Sequence, residues 1–245
     1  MSIVAADLIC YGSLNRPEDD TAASGGGIDV ENRPVFTQFS GNARLALISD
    51  GADTRDVNVK GRDTTGAKIT ETITLTGAVE VLSVATFERM LSVQAPTGSA
   101  TRTVTAKQGS GGTTIGTIPV NEKGFYCVFI DSASEASATS RFEKTFWKNT
   151  HATLTLNAAK VRLSADPSAK IKTAVVAAKN DSTSVANRKT VPTGPTFVDD
   201  NVDQDVPATT LAAGEAIGVW WQEDLGINDA SVRSTFTARL AGTTV

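Results

Sequence analysis

Apolar side chains in this chain recur at every second position, in runs too short for helices and closed off by turn residues. Between Arg55 and Arg62, Val57 and Val59 fall on one side of an extended backbone while Asp56, Asn58 and Lys60 fall on the other. That period of two is the pattern of a half-buried strand. Asp63-Thr64-Thr65-Gly66 then supplies hairpin turn chemistry, with Gly66 able to take a positive φ. Ile69 to Leu75 reads as the return strand, with Ile69, Ile73 and Leu75 on one face and threonines on the other. Further strands are expected at Val35 to Phe39, Ala43 to Ser49, Val79 to Val84, Phe87 to Val93 and Arg102 to Ala106. Their spacing of roughly 8–12 residues suits a β-sandwich or barrel.

Lys107 to Gly116 is rich in Gly, Ser and Thr and reads as a long hairpin loop or an interdomain connection. After it the strand pattern restarts. Phe125 to Ile130 is an unbroken apolar run suited to burial on both faces, and Arg141 to Asn149 alternates Phe142, Lys144 and Phe146 with Glu143, Thr145 and Trp147. Strands are also expected at Ala152 to Leu156, Lys160 to Leu163, Ile217 to Gln222 and Ser234 to Leu240, with Asp224 to Ala230 as a loop. Periodicity leaves Ala169 to Lys179 open between strand and short helix, and the polar stretch Thr183 to Asp205 reads as an extended loop. The expected fold is all-β: an extended N-terminal arm over residues 1–34, then two β-sandwich domains of Ig-like or jelly-roll-like character at residues 35–119 and 120–245.

Residues 1–34 stand apart by charge. They hold six acids and two bases, so their net charge of −4 equals that of the whole chain and the remainder is balanced. Pro17 and Ser24-Gly25-Gly26-Gly27 argue against a helix or a long strand. Leu8-Ile9-Cys10-Tyr11 is nevertheless an apolar run that a solvated tail has no use for, so the segment reads as an arm that docks on something.

The composition bounds the function. A sequence pI near 5.1 and the absence of any Lys/Arg stripe interleaved with aromatics argue against nucleic acid. No apolar run reaches the ~18–20 residues of a spanning helix, and the opening residues give no signal-peptide pattern. The single histidine, His151, and two isolated cysteines, Cys10 and Cys127, leave little from which to build a zinc site or a Cys/His dyad. No cofactor or catalytic residue is expected.

Several local features have a plain reading beside a functional one. Asp199-Asp200-Asn201-Val202-Asp203-Gln204-Asp205 spaces oxygen ligands like a calcium loop, but Gln204 stands where the turn glycine belongs and Thr210 where the bidentate Glu belongs. A solvated loop is the expectation. Gly109-Ser110-Gly111-Gly112 lacks the Gly-Lys-Ser/Thr that completes a phosphate cradle, and Asn180-Asp181-Ser182 matches a glycosylation sequon without a secretory context. Glu143, Glu135 and Asp131 read as surface carboxylates rather than a glycosidase pair. Trp220 and Trp221 are consecutive, so in a strand one ring enters the core while the other meets solvent, a partner or a sugar.

Some stretches resemble a known group. Ala6-Asp7-Leu8-Ile9-Cys10-Tyr11-Gly12-Ser13, with Pro17-Glu18-Asp19-Asp20 and Gly25-Gly26-Gly27-Ile28-Asp29, resembles the opening of virion structural proteins of tailed bacteriophages. Val57 to Gly66 with Ile69 to Leu75 resembles their Ig-like hairpins. Phe142 to Asn149 and Gly218-Val219-Trp220-Trp221 are similar to their second β-domain. The resemblance implies a non-enzymatic virion protein made in the host cytoplasm, a head decoration (cement) protein first and a neck or tail component second. The implied partner is the major capsid protein, without nucleic acid or membrane. A homo-oligomer is implied too, trimeric by analogy with decoration proteins at lattice axes, although no residue here specifies it.

An arm that adds backbone hydrogen bonds to a neighbour's sheet edge is a workable anchor, and many symmetry-related copies strengthen weak contacts. Leu8, Ile9, Tyr11, Ile28 and Phe36 are the expected anchors, with Arg16, Asp19, Asp20 and Arg33 pairing charges across the contact. The rival reading is a carbohydrate-binding or adhesin module, favoured by the Trp pair, although 6% aromatic residues leave few rings beyond those two cores require.

Overall fold

A computed structural model describes residues 2–130, 136–229 and 235–244. Strand makes up 50% of the chain and helix 3%, so the fold is all-β as the alternation predicts. The chain divides into two compact units, the first comprising Met1–Asp29 with Phe129–Val245 and the second Val30–Val128. After a short 3-10 turn at Ala5–Asp7, β1 (Leu8–Asn15) and β2 (Ser24–Asp29) belong to the first unit.

The second unit holds β3 (Asn32–Arg33), β4 (Ala43–Ser49), β5 (Asp56–Arg62), β6 (Lys68–Thr74), β7 (Val81–Phe87), β8 (Arg89–Gln94), β9 (Val104–Gln108), β10 (Thr114–Ile118) and β11 (Gly124–Tyr126). They form two sheets, ordered β10-β9-β4-β7 and β3-β11-β8-β5-β6. Alternate residues of both sheets share one core: Leu45 and Leu47 of β4 meet Val57 and Val59 of β5, with Phe87, Met90 and Phe125. This is the geometry of a sandwich, in which each strand turns every second side chain inward. The expected β5–β6 hairpin forms, with Val57 opposite Ile73, and Gly66 takes φ +85 at its turn.

The first unit resumes with β12 (Thr139–Asn149), β13 (Leu156–Ala165), β14 (Ile171–Lys179), β15 (Ser184–Val185), β16 (Gln204–Asp205), β17 (Thr210–Leu211), β18 (Ala216–Leu225) and β19 (Thr237–Thr243). Its larger sheet runs β14-β18-β12-β1-β2-β15, and a smaller one centres on β13, which pairs β16, β17 and β19. Arg141 to Phe146 of β12 are buried without a break, so the middle of the larger sheet is covered on both faces.

Several expectations change. Residues 1–34 are not an extended arm. β1 lies antiparallel between β12 and β2, with Leu8 opposite Asn149 and Gly12 opposite Thr145. The apolar run Leu8 to Tyr11 finds its partner surface within its own chain. The units divide at 29/30 and 128/129 instead of 34/35 and 119/120. Lys107 to Gly116 connects no domains: β9 runs to Gln108, Gly112 N donates to Gly109 O in the turn, and β10 begins at Thr114. Val35 to Phe39 forms no strand, although Thr37 N donates to Ile115 O and Phe39 is buried. Ala152 to Leu156 opens as a turn, whereas Ala169 to Lys179 resolves as strand. Ser234 and Ala230 lie outside the described residues.

Candidate functional site: the buried charges of the first unit

β12 carries charge into the interior because its neighbours supply countercharge on both faces. Arg141, Glu143 and Thr145 point one way and Phe142, Lys144 and Phe146 the other, since successive strand side chains alternate. Across the ladder, Arg141 stands opposite Glu223, Glu143 opposite Trp221, and Lys144 opposite Trp220.

On the first face Asp20, in the connection between β1 and β2, is the hub. Arg141 grips it bidentately, Nε to Oδ1 at 2.8 Å and Nη2 to Oδ2 at 2.9 Å. Arg188 Nε donates to the same Oδ1 at 2.6 Å, and Lys189 Nζ lies 2.9 Å from Oδ2. Both guanidinium side chains are almost wholly buried, at 3% and 2% exposure. Arg188 Nη1 also donates to Ile130 O at 2.7 Å and lies 3.8 Å from Glu143 Oε1. Charge-assisted bonds of this kind are strong, and burial makes each partner indispensable to the others.

Glu143 is the least comfortable member. Burial pushes its carboxyl up to about 8, and the Glu223 charge adds to the rise, while a backbone bond from Phe129 and the charges of Arg188 and Arg141 oppose it. Oε1 accepts no hydrogen bond among the described residues. At neutral pH the group is held mostly as the neutral acid. It is therefore not a surface carboxylate, and its expected companions Asp131 and Glu135 lie outside the described residues.

On the opposite face Lys144 is fully buried, its Nζ paired with the Asp181 carboxylate and 5.0 Å from the Phe146 ring and 5.5 Å from that of Trp220. Nζ also donates to Gly26 O and Thr183 O, each at 3.2 Å. Burial lowers the Lys144 pKa, and the Asp181 charge only partly restores it.

The two tryptophans are both interior, at 1% and 2% exposure, because β18 is covered on both faces. Trp220 lies against Gly25, and Trp221 donates from Nε1 to Thr145 Oγ1 at 2.8 Å and meets Phe236 at 5.0 Å between ring centroids. The expectation that one ring reaches solvent, a partner or a sugar is overturned.

The expected anchor residues are likewise engaged within the chain. Tyr11 is buried, Leu8, Ile9 and Ile28 are half-buried in the sheet, and Phe36 packs on Phe125 at 5.0 Å. Arg16 pairs with Asp29 at 3.5 Å, and Arg33 grips Glu122, with Nε 2.6 Å from Oε2. Asp19 is exposed but accepts bonds from Thr21 and Ala22 of its own turn, Thr21 above all holding its carboxyl low. Asp20 joins the buried network.

His151 Nδ1 accepts the backbone N–H groups of Thr153 and Leu154, closing the turn after β12. Cys10 and Cys127 are half-buried. In the acidic loop, Asp199, Asp203 and Asp205 face Lys172, Arg162 and Lys160 respectively. No group of three or more His, Cys, Asp or Glu among the described residues is placed to hold a metal ion.

Sequence reasoning did not single out Arg141, Lys144, Asp181 or Arg188. Their signal was present for two of them: Arg141 and Lys144 interrupt a strand whose other residues include Phe142, Phe146 and Trp147. The fold and these charges define the class: an all-β protein whose larger sheet locks paired charges inside. No family model, curated protein or solved structure matches the chain.

Proposed function

We propose that this chain is a non-enzymatic structural protein of a tailed-phage virion, a head decoration protein that binds the assembled capsid lattice. The observation that carries the reading is where the chemistry-bearing side chains go. Arg141, Glu143, Lys144, Arg188, Trp220 and Trp221 are all buried, and Arg141, Lys144, Arg188 and Trp221 are hydrogen-bonded to partners within the chain, which suits a protein selected for durability. The withdrawal of both tryptophans removes the feature that favoured a sugar platform. Because Leu8 to Tyr11 is a strand of the chain's own sheet, the lattice contact on this reading uses the outer surface of the folded units instead of a free arm.

The test is mass photometry of undecorated particles titrated with the purified chain. Saturable binding at a copy number matching the lattice sites is expected. Binding at a handful of copies would move the protein to the neck or tail, and no binding would overturn the virion assignment.

A further inference from the structure

A fully buried lysine beside a half-buried carboxylate is an expensive way to hold strands together. Two charges taken out of water are seldom repaid by their attraction, and a well-packed apolar pair is often as stable. Lys144 and Asp181 nevertheless meet in the first unit, Lys144 on β12 and Asp181 in the connection between β14 and β15. The Lys144 side chain has no exposure and that of Asp181 13%. The rings of Phe146 and Trp220 flank the ammonium. Elsewhere in the unit, Lys170 and Asp229 form a similar pair, but at 27% and 33% exposure, where water dissolves the problem.

We propose that Lys144 and Asp181 form an intramolecular isopeptide bond, a covalent cross-link made by the folded chain without a cofactor. In the starting state a proton passes along the hydrogen bond from the Lys144 ammonium to the Asp181 carboxylate. Burial favours that exchange at both groups, lowering the Lys144 pKa and pulling the Asp181 carboxyl upward, although the bonds from Lys144 and Thr183 outweigh burial at Asp181 and hold it below its ordinary value. The neutral amine then attacks Asp181 Cγ with its lone pair, forming the N–C bond. The hydroxyl departs from Cγ, taking the nitrogen's extra proton with it, so amine plus carboxylic acid give amide plus one water. No electrons are gained or lost and no further reactant is needed.

The surroundings fit both ends of this step. Thr183 donates from Oγ1 to Asp181 Oδ2 at 2.7 Å and from its backbone N at 3.3 Å, which fixes the carboxyl and supports Oδ2, the oxygen that takes the proton and departs. Gly26 O and Thr183 O, each 3.2 Å from Nζ, are placed to receive the protons of nitrogen before reaction and the single amide N–H afterwards. Burial also lowers the Lys144 pKa, which raises the fraction of nucleophilic amine. Holding the two groups in contact converts a slow bimolecular condensation into an intramolecular one. The product replaces a desolvated ion pair with a neutral amide and ties β12 to the connection that leads into β15.

The test is intact-mass measurement of the full purified chain followed by tryptic mapping. The expected result is a chain lighter than its sequence by one water, with a branched peptide in which the segment containing Lys144, uncut at that residue, is joined to the segment between Lys179 and Arg188. An Asp181→Ala chain is expected at full mass with both segments linear. Asp181→Asn is expected to lose ammonia in place of water and converge on the mass of the cross-linked wild type. A wild-type chain at full sequence mass would overturn the proposal. So would water loss with Lys144 still cleavable, because a succinimide at Asp181-Ser182 also sheds water but leaves the peptides unlinked.

Discussion

Single residues in the first unit carry opposite electrostatic burdens. Glu143 keeps its proton in the folded state up to about pH 8, against 4.5 for an ordinary glutamate, so folding takes up a proton across that window. A raised acid pKa means stability is greatest at the low end and falls as pH rises between the two values. Glu143→Gln, which mimics the neutral acid, should remove this slope: denaturant unfolding at pH 5 and pH 8 should separate the variant from wild type increasingly toward pH 8. Equal slopes would show that Glu143 is ionised in the fold. Asp20 is the converse case, an anion that three cations depend on. Asp20→Ala leaves Arg141 and Arg188 buried without their countercharge and should cost about 3 kcal/mol, read as a lowered denaturation midpoint. The sequence marked Asp20 as a charge to be paired, but placed its partners on another protein. Its partners lie 121 and 168 positions away, a separation that no local pattern encodes.

At the scale of elements, alternation was a faithful guide where one strand face is dry and the other wet. β5 buries alternate residues, and the β5–β6 hairpin is within a residue of expectation. It failed where both faces are covered, because a strand such as β1 then needs no alternation, and its apolar run and neighbouring glycines looked like a docking arm. Hydrogen exchange tests the placement directly. The amides of β1 should exchange as slowly as those of β12, whereas a frayed terminus would exchange within seconds. Gly25 of β2 offers a second check. It takes φ +90, and a Cβ there would stand 2.6 Å from the Trp220 ring. Gly25→Ala should therefore destabilise the chain by about 3 kcal/mol, and an unchanged thermal midpoint would contradict the packing of Trp220 against β2.

For the molecule as a whole, the sequence showed two bodies of similar character but misplaced their seams. The eye seeks Gly, Ser and Pro at a boundary, and Lys107 to Gly116 supplied them. The chain actually crosses at Asp29–Val30 and Val128–Phe129, within Ile28-Asp29-Val30 and the apolar run Phe125 to Ile130, neither of which has linker composition. The second unit has a core of its own, and its first and last strands, β3 and β11, pair in parallel, Asn32 opposite Gly124. Residues 30–128 expressed alone should fold, giving a cooperative melt and dispersed amide resonances. A collapsed spectrum would mean that this core depends on the rest of the chain.

The pairing of β1 with β12 also sets a schedule. On the ribosome Leu8 to Tyr11 emerges well before the residues it must pair with, since Gly12 waits for Thr145. At roughly 5–20 residues per second that delay lasts on the order of ten seconds, long enough for the intervening unit to fold first. Until β12 appears, a bare apolar strand trails from the nascent chain, and a chaperone that shields short extended segments would find its natural client there.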